Sequence, residues 1–312
     1  MELIPSDRSF DFVGRRKLAF VLSTVLVLGS LALLFVRGLN FGIDFTGGTL
    51  VEARFTKPPK LAELRRALDA AGFHGAVIQE FGSAEDILVR VPNLAGENSN
   101  TIGDKVLATF RKLDAGVQMR RVEYVGPQVG RELAIAGVKA VVIALVAILL
   151  YVTFRFELRF ALGADLALVH DTIITIGAFS LTGKEVTLPV VAALLTIIGY
   201  SLNDTIVVFD RIRELFAENR KRKQPLPEAE VANRAINETL PRTVITSLTT
   251  LLVVLALFFL GGEVIHDFAF ALIVGIVVGT YSSIFVATPL MLALSGKLKF
   301  ARVDTKELEA RP

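Results

Sequence analysis

The chain has 312 residues, 53% of them hydrophobic, a net charge of only +3 and no cysteine. A mean hydropathy of +0.57 excludes a water-soluble domain of this length and points to an integral membrane protein. Disulfides and thiolate metal sites are excluded, and His74, His170 and His266 show no metal-ligand spacing, so neither a metal nor another cofactor is expected.

Residues 1–17 read as a cytoplasmic N-terminus. The first apolar run, 18–36, follows Arg15-Arg16-Lys17. It is longer than a signal-peptide core and lacks an obvious small-residue cleavage site, so it reads as an uncleaved anchor. Residues 37–131 have soluble composition. Within them 49–55 alternates like a half-buried strand. Residues 61–71 carry Leu61, Leu64 and Leu68 at helical spacing, and 76–81 and 87–91 are short β-rich runs. Residues 102–113 place Ile102, Val106, Phe110 and Leu113 on one helical face, and 117–125 is a last strand. The order βαββαβ predicts an inserted ferredoxin-like α+β domain.

Five more runs are long enough to cross a bilayer core of about 30 Å. They are 132–153, 160–181, 187–209, 242–260 and 268–294, with a basic loop over 210–241 and a tail over 295–312. With the N-terminus in the cytoplasm, eighteen Lys and Arg fall in cytoplasmic segments and only Lys184 in the two short outer loops. This strong positive-inside bias places both termini in the cytoplasm and the 37–131 domain outside. The fold class is therefore a polytopic α-helical membrane protein with six transmembrane helices and one inserted outer domain. The pI near 9.1 reflects this loop bias rather than nucleic-acid binding. The cluster at 220–223 reads as a topology signal and an anionic-lipid contact.

Asp204 is the residue that asks for a function. It lies six residues before Asp210 at the end of the fourth span, roughly 9 Å inside at helical rise. A charge at bilayer depth costs about 2.5–3.5 kcal/mol or more. Tyr200 and Ser201 precede it at i−4 and i−3, and Asn203 and Thr205 flank it, forming a polar stripe. Two readings stand: a carboxyl that exchanges a proton or binds a cation, and an interhelical hydrogen bond.

Arg242 opens the fifth span in the same membrane half and is followed by Thr246, Thr249 and Thr250 on one face. It reads either as the partner of Asp204 or as a snorkelling interfacial cation. His170-Asp171, in the third span, reads as part of a proton path or as an interhelical cluster. Glu263, His266 and Asp267 read as a solvated outer turn. Gly275 and Gly279 form a GxxxG in the sixth span, continued by Ser282, Ser283 and Val286, which predicts close helix packing. No Ser-His-Asp spacing, phosphate loop or metal cluster points to an enzyme.

Several motifs in order resemble one family. They are Phe41-Gly42-Ile43-Asp44-Phe45-Thr46-Gly47-Gly48 after the first span and Val125-Gly126-Pro127-Gln128-Val129-Gly130 before the second. His170-Asp171, Gly199-Tyr200-Ser201-Leu202-Asn203-Asp204, Asp210-Arg211-Ile212-Arg213-Glu214, Pro241-Arg242-Thr243 and Gly261-Gly262 follow. In this order, over essentially the whole chain, they resemble the SecF branch of the SecD/SecF protein-export family, within the RND superfamily. The resemblance implies an RND-type half that pairs with SecD, associates with the SecYEG channel in the bacterial inner membrane and uses the proton motive force to draw unfolded polypeptides outward. It implies that the outer domain is periplasmic, and that Asp204 and Arg242 are the family's intramembrane Asp and Arg. Their separation is longer than the family's, with the extra residues at 215–218. Two other readings remain, a passive translocon-stabilising scaffold and half of an RND-type transporter of small molecules or lipid.

Overall fold

The computed structural model describes residues 10–92 and 99–295. Arg8 and the tail beyond Ser295 lie outside the described residues. Among the described residues, six helices are long and apolar enough to cross a membrane.

The first is α1 (Arg16–Arg37), followed by the short strand β1 (Asn40–Phe41) and the single turn α2 (Ile43–Thr46). Next come β2 (Gly48–Arg54), α3 (Leu61–Ala70), β3 (Val77–Phe81), β4 (Ser83–Val91), α4 (Ser99–Arg111) and β5 (Gln118–Val125). The later spans are α5 (Pro127–Arg155), α6 (Leu158–Thr182), α7 (Leu188–Arg220) and α8 (Glu228–Leu260), with β6 (Glu185–Val186) between α6 and α7. The sixth span is composite: α9 (Glu263–Ser282), a π-helical turn over Ser283–Ala287, and α10 (Thr288–Ser295).

Four strands form one antiparallel sheet in the order β3–β4–β2–β5. Alternation along β2 sends Val51, Ala53 and Phe55 to one core, where they meet Leu64 and Leu68 of α3 and Ile102, Val106 and Phe110 of α4. These are the faces that the apolar spacing marks, except that α4 stops at Arg111 and leaves Leu113 exposed. Leu50 points the other way and packs with Ile43 and Leu88. The sheet is thus apolar on both sides near α2, because α2 covers its second face there.

Arg54 pairs with Asp86 through two hydrogen bonds across β2 and β4. The bond from Arg54, with help from Ser83, holds the Asp86 carboxyl below the usual carboxylate range. A lowered folded-state value means that the stabilisation is present at neutral pH and is lost as pH falls through that value. Hydrogen-exchange protection of β2 and β4 should therefore hold from pH 7 down to about 4 and fade only below it. In Asp86→Asn this acid-dependent step should vanish; an unchanged profile would sink the assignment.

Two glycines explain how the sheet sits so close to the membrane helices. Gly47 has φ 70° and Gly48 φ 131°, both in the region that side chains disfavour. A Cβ on Gly48 would lie 2.6 Å from the Val91 carbonyl oxygen, and one on Gly130 of α5 would lie 2.9 Å from the Gly47 nitrogen. The turn after α2 is wedged between β4 and α5. Arg90 adds a polar anchor: its guanidinium lies 2.5 Å from the Glu185 carboxylate and donates to the Phe41 carbonyl at 3.0 Å. Burial raises the Glu185 carboxyl above its ordinary value, against the pull of Arg90. β1 and β6 pair in parallel beside this anchor.

In the bundle α6 is central, with 67% of its most apolar window buried, against 6% for α5 and 11% for α8. α5 and α8 therefore present wide apolar faces to lipid or to another chain. Gly177 lets α1 approach α6 at Ser30, where a Cβ would lie 2.2 Å from the Ser30 hydroxyl. Gly275 does the same for α9 against α7, with Ile197 2.3 Å from the position a Cβ would take. Gly275→Val should lower stability by about 1–3 kcal/mol through overpacking, read by thermal unfolding in detergent. A variant as stable as the parent would show that this crossing is loose.

Two sequence expectations are corrected. Residues 210–241 are not a loop. α7 continues to Arg220 and α8 starts at Glu228, leaving only 221–227 as the connection. Val231, Ala232, Ala235 and Ile236 pack against Phe209, Ile212, Leu215 and Phe216 in one core, so this stretch buries apolar surface as the spans do. The Asn219 side chain closes the turn, donating to the Leu226 carbonyl and accepting from its N–H, both at 2.9 Å. The residues at 215–218 accordingly lengthen a helix. The second correction concerns 263–267, where α9 already begins at Glu263. Asp267 is held by the Lys184 ammonium at 2.7 Å and the Glu185 N–H at 3.1 Å rather than by solvent alone.

Candidate functional site

Two carboxylates, Asp171 buried and Asp204 half-buried, sit where α6, α7, α8 and the sixth span converge. Asp171, on α6, is 1% exposed. Its Oδ2 accepts hydrogen bonds from Ser201 Oγ of α7 and Ser282 Oγ of α9, each at 2.7 Å. Its Oδ1 lies 2.9 Å from His170 Nδ1. The other imidazole nitrogen, His170 Nε2, is buried without a hydrogen-bond partner, and the ring stacks on Tyr281 at 6.3 Å. Gly279 makes room for this cluster, since a Cβ there would lie 3.0 Å from Ser201 Cβ and 3.6 Å from Asp171 Oδ2.

Asp204, on α7, lies about one turn further along. Its Oδ1 accepts from Thr243 Oγ1 of α8 at 2.6 Å and its Oδ2 from Ser283 Oγ at 2.5 Å. Thr243 and Ser283 are both buried. The carboxylate therefore ties three spans together with two short hydroxyl bonds. A narrow cleft of about 20 Å³, lined by Tyr200, Asn203, Asp204, Val207, Arg242 and Thr246, reaches the same carboxylate. That is space for roughly one water molecule.

Arg242 lines this cleft, is exposed, and forms no ion pair among the described residues. It shares the cleft with Asp204, and no hydrogen bond or ion pair joins the two. Pro241 precedes it inside α8 and removes the N–H that would reach the Asn237 carbonyl. Thr246 Oγ1 turns back to the Arg242 carbonyl.

The polar stripe expected around Asp204 divides in the structure. Tyr200 and Asn203 line the cleft with Asp204, and the Tyr200 hydroxyl is buried without a partner. Ser201 turns to Asp171, and Thr205 donates to the Ser201 carbonyl of its own helix at 3.0 Å. Adjacent residues on a helix point about 100° apart, so Tyr200 and Ser201 serve different neighbours. Sequence reasoning missed Thr243, Ser282 and Ser283 as hydrogen-bond donors. Their signal was present as small hydroxyl residues at bilayer depth, where an unsatisfied polar group is costly. Among the described residues, no three acidic, histidine or cysteine side chains cluster as metal ligands. Each carboxylate thus accepts from two hydroxyls of neighbouring spans, and the small cleft reaches Asp204.

The family model for the C-terminal region of the protein export membrane proteins SecD and SecF matches residues 105–297. The SecD/SecF GG motif matches residues 32–59, which include the Gly47–Gly48 turn. The protein translocase subunit SecF of Magnetococcus marinus is 54% identical over 98% of this chain and 99% of its own length. That of Vibrio alginolyticus is 49% identical over 94% of this chain and 92% of its own. The crystal structure of SecDF from Thermus thermophilus, described as a translocon-associated membrane protein, matches with a TM-score of 0.83 at 43% identity. A SecDF structure in a super-membrane-facing form matches at 0.70 and 42%. This chain spans 40% and 41% of those two solved chains, and they cover 94% and 99% of it. The chain belongs to the SecD/SecF family of protein-export membrane proteins, on the SecF side.

Proposed function

We propose that the chain is an accessory subunit of the Sec protein translocase in the bacterial inner membrane that couples the proton motive force to late stages of polypeptide export. The observation that carries this reading is the Asp204 carboxylate, held by Thr243 and Ser283 from two other spans and open to the cleft beside Arg242. A purely structural hydrogen bond needs no cleft and no neighbouring cation. Protonation of Asp204 would remove a half-buried charge and weaken both hydroxyl bonds, so the packing of α7 against α8 and α9 would follow the proton. His170 and Asp171 form the second station, and Arg242 sets the field at the first.

In this reading both termini are cytoplasmic, and residues 37–131 form a ferredoxin-like periplasmic domain whose movement biases the exported chain. The strand order β3–β4–β2–β5, with α3 and α4 on one face, supports that domain type. The partners are a SecD-like half, the SecYEG channel, the translocating unfolded polypeptide and surrounding lipid. The much greater length of the solved SecDF chains supports the first of these. The wide exposed faces of α5 and α8 leave room for it. No catalytic step is assigned to the chain, and no nucleic acid.

The competing reading is a passive scaffold that stabilises the translocon. Export into vesicles carrying the reconstituted complex, with and without an imposed proton gradient, separates the two. A scaffold shows no gradient dependence, and that result would sink the proposal.

A further inference from the structure

Ser282 and Ser283 are consecutive, fully buried, and bonded to different carboxylates on different helices. Ser282 Oγ reaches Asp171 Oδ2 on α6 at 2.7 Å, and Ser283 Oγ reaches Asp204 Oδ2 on α7 at 2.5 Å. They lie where α9 gives way to the π-helical turn Ser283–Ala287. Such a turn carries one extra residue per turn and recurs at functional sites. Pro289 follows, without the N–H that an α-helix would direct to the Phe285 carbonyl. Thr288 Oγ1 lies 3.3 Å from the Ser283 carbonyl, so a side chain helps to satisfy the loosened backbone there.

Each serine also has a second acceptor within reach. Ser282 Oγ lies 3.1 Å from the Gly279 carbonyl, and Ser283 Oγ lies 3.2 Å from the Thr280 carbonyl. A hydroxyl has one hydrogen to donate and lone pairs to accept with. It can therefore donate to an ionised carboxylate, or accept from a protonated one while its own hydrogen swings to the backbone. Neither state leaves a donor unsatisfied. Ser201 gives Asp171 a further hydroxyl from α7, the helix that carries Asp204.

We infer that Ser282 and Ser283 are positioning residues that join Asp171 and Asp204 into one coupled unit through the π-helical turn of the sixth span. A change of proton occupancy at one carboxylate reverses the hydrogen bond of its serine, and the shared turn carries that change to the neighbouring serine and the other carboxylate. The titratable groups facing the pair are His170 and Asp171 on α6, Tyr200 and Asp204 on α7, Arg242 on α8 and Tyr281 on α9. The inference rests on the proton-relay reading of Asp204.

Difference infrared spectroscopy on the reconstituted complex, stepped between two pH values, tests it. The Asp204 carboxyl band is identified as the one lost in Asp204→Asn. In Ser283→Ala that band should move to the position of a more weakly bonded carboxyl, gradient-driven export should fall about tenfold, equivalent to about 1.4 kcal/mol, and Ser283→Thr should restore both. Asp171→Asn should shift the Asp204 band in the parent and leave it unmoved in a Ser282→Ala background. An Asp204 band unaffected by Ser283→Ala would overturn the inference while leaving the relay intact. So would an Asp171→Asn shift that is the same with and without Ser282. If no band disappears in Asp204→Asn, the relay reading itself fails.

Discussion

Asp204→Asn should abolish the gradient-dependent part of export while leaving assembly of the complex intact. Asparagine keeps the size and one accepting oxygen of the side chain, so Thr243 or Ser283 retains a partner. It cannot take up or release a proton in the working range. Each proton crossing 100 mV supplies about 2.3 kcal/mol, and 1.4 kcal/mol is a factor of ten, so the gradient can bias a two-position domain by roughly fiftyfold. Losing it should reduce export under a gradient by about that factor, down to the rate seen when the gradient is collapsed. The measurement is export into energised vesicles, compared with de-energised ones. Full gradient stimulation in Asp204→Asn would end the role proposed for this carboxylate. Arg242→Ala is the companion: it should weaken stimulation less, because Arg242 shares the cleft with Asp204 without a hydrogen bond or ion pair to it.

Asp171→Ala should destabilise the bundle strongly. It strands the Ser201 hydroxyl, the Ser282 hydroxyl and the His170 Nδ1 at a site that is 1% exposed. An unpartnered buried donor costs about 1–3 kcal/mol. Ser282 recovers part of this through the Gly279 carbonyl, and hydrogen bonds between membrane helices are often weaker than burial suggests. A net loss of about 3 kcal/mol is the result, visible as a lower unfolding midpoint in detergent. Asp171→Asn, which keeps an accepting oxygen, should lose about 1 kcal/mol. Equal stability of the alanine variant and the parent would mean that the cluster does not hold the helices together.

The amino-acid pattern reveals the spans because about twenty apolar residues and a Lys/Arg bias are local signals. It also reveals the βαββαβ element order, since Val51, Ala53 and Phe55 alternate while Ile102, Val106 and Phe110 recur at helical spacing. Asp204 stands out for the same reason: a carboxylate within an apolar run is conspicuous wherever it is read. Its partners are not. Thr243 and Ser283 are 39 and 79 residues away, and small hydroxyl residues are common in membrane helices, so only the packing of α7 against α8 and the sixth span selects these two. The parallel pairing of Asn40–Phe41 with Glu185–Val186 was equally hidden, because two-residue strands have no period to detect. The helical course of 210–241 was obscured by its charges. Arg211, Arg213 and Arg234 lie on exposed faces, while Ile212, Leu215 and Ile236 pack beneath them.

The continuity of α7 through the site gives Asp204 a mechanical reach. From Asp204 to Arg220 the helix runs unbroken through sixteen residue steps, about 24 Å at helical rise. α8 lies beside it, the Asn219–Leu226 bonds close the tip, and Asn233 and Asn237 strap the backbone of Phe10 to its flank. In the proposed relay, this assembly would act as a lever with its fulcrum at the carboxylate. A tilt of about 5° there displaces the tip by roughly 2 Å over that length. One proton gained or lost within the bilayer would thus be legible as movement of a rigid arm well beyond it.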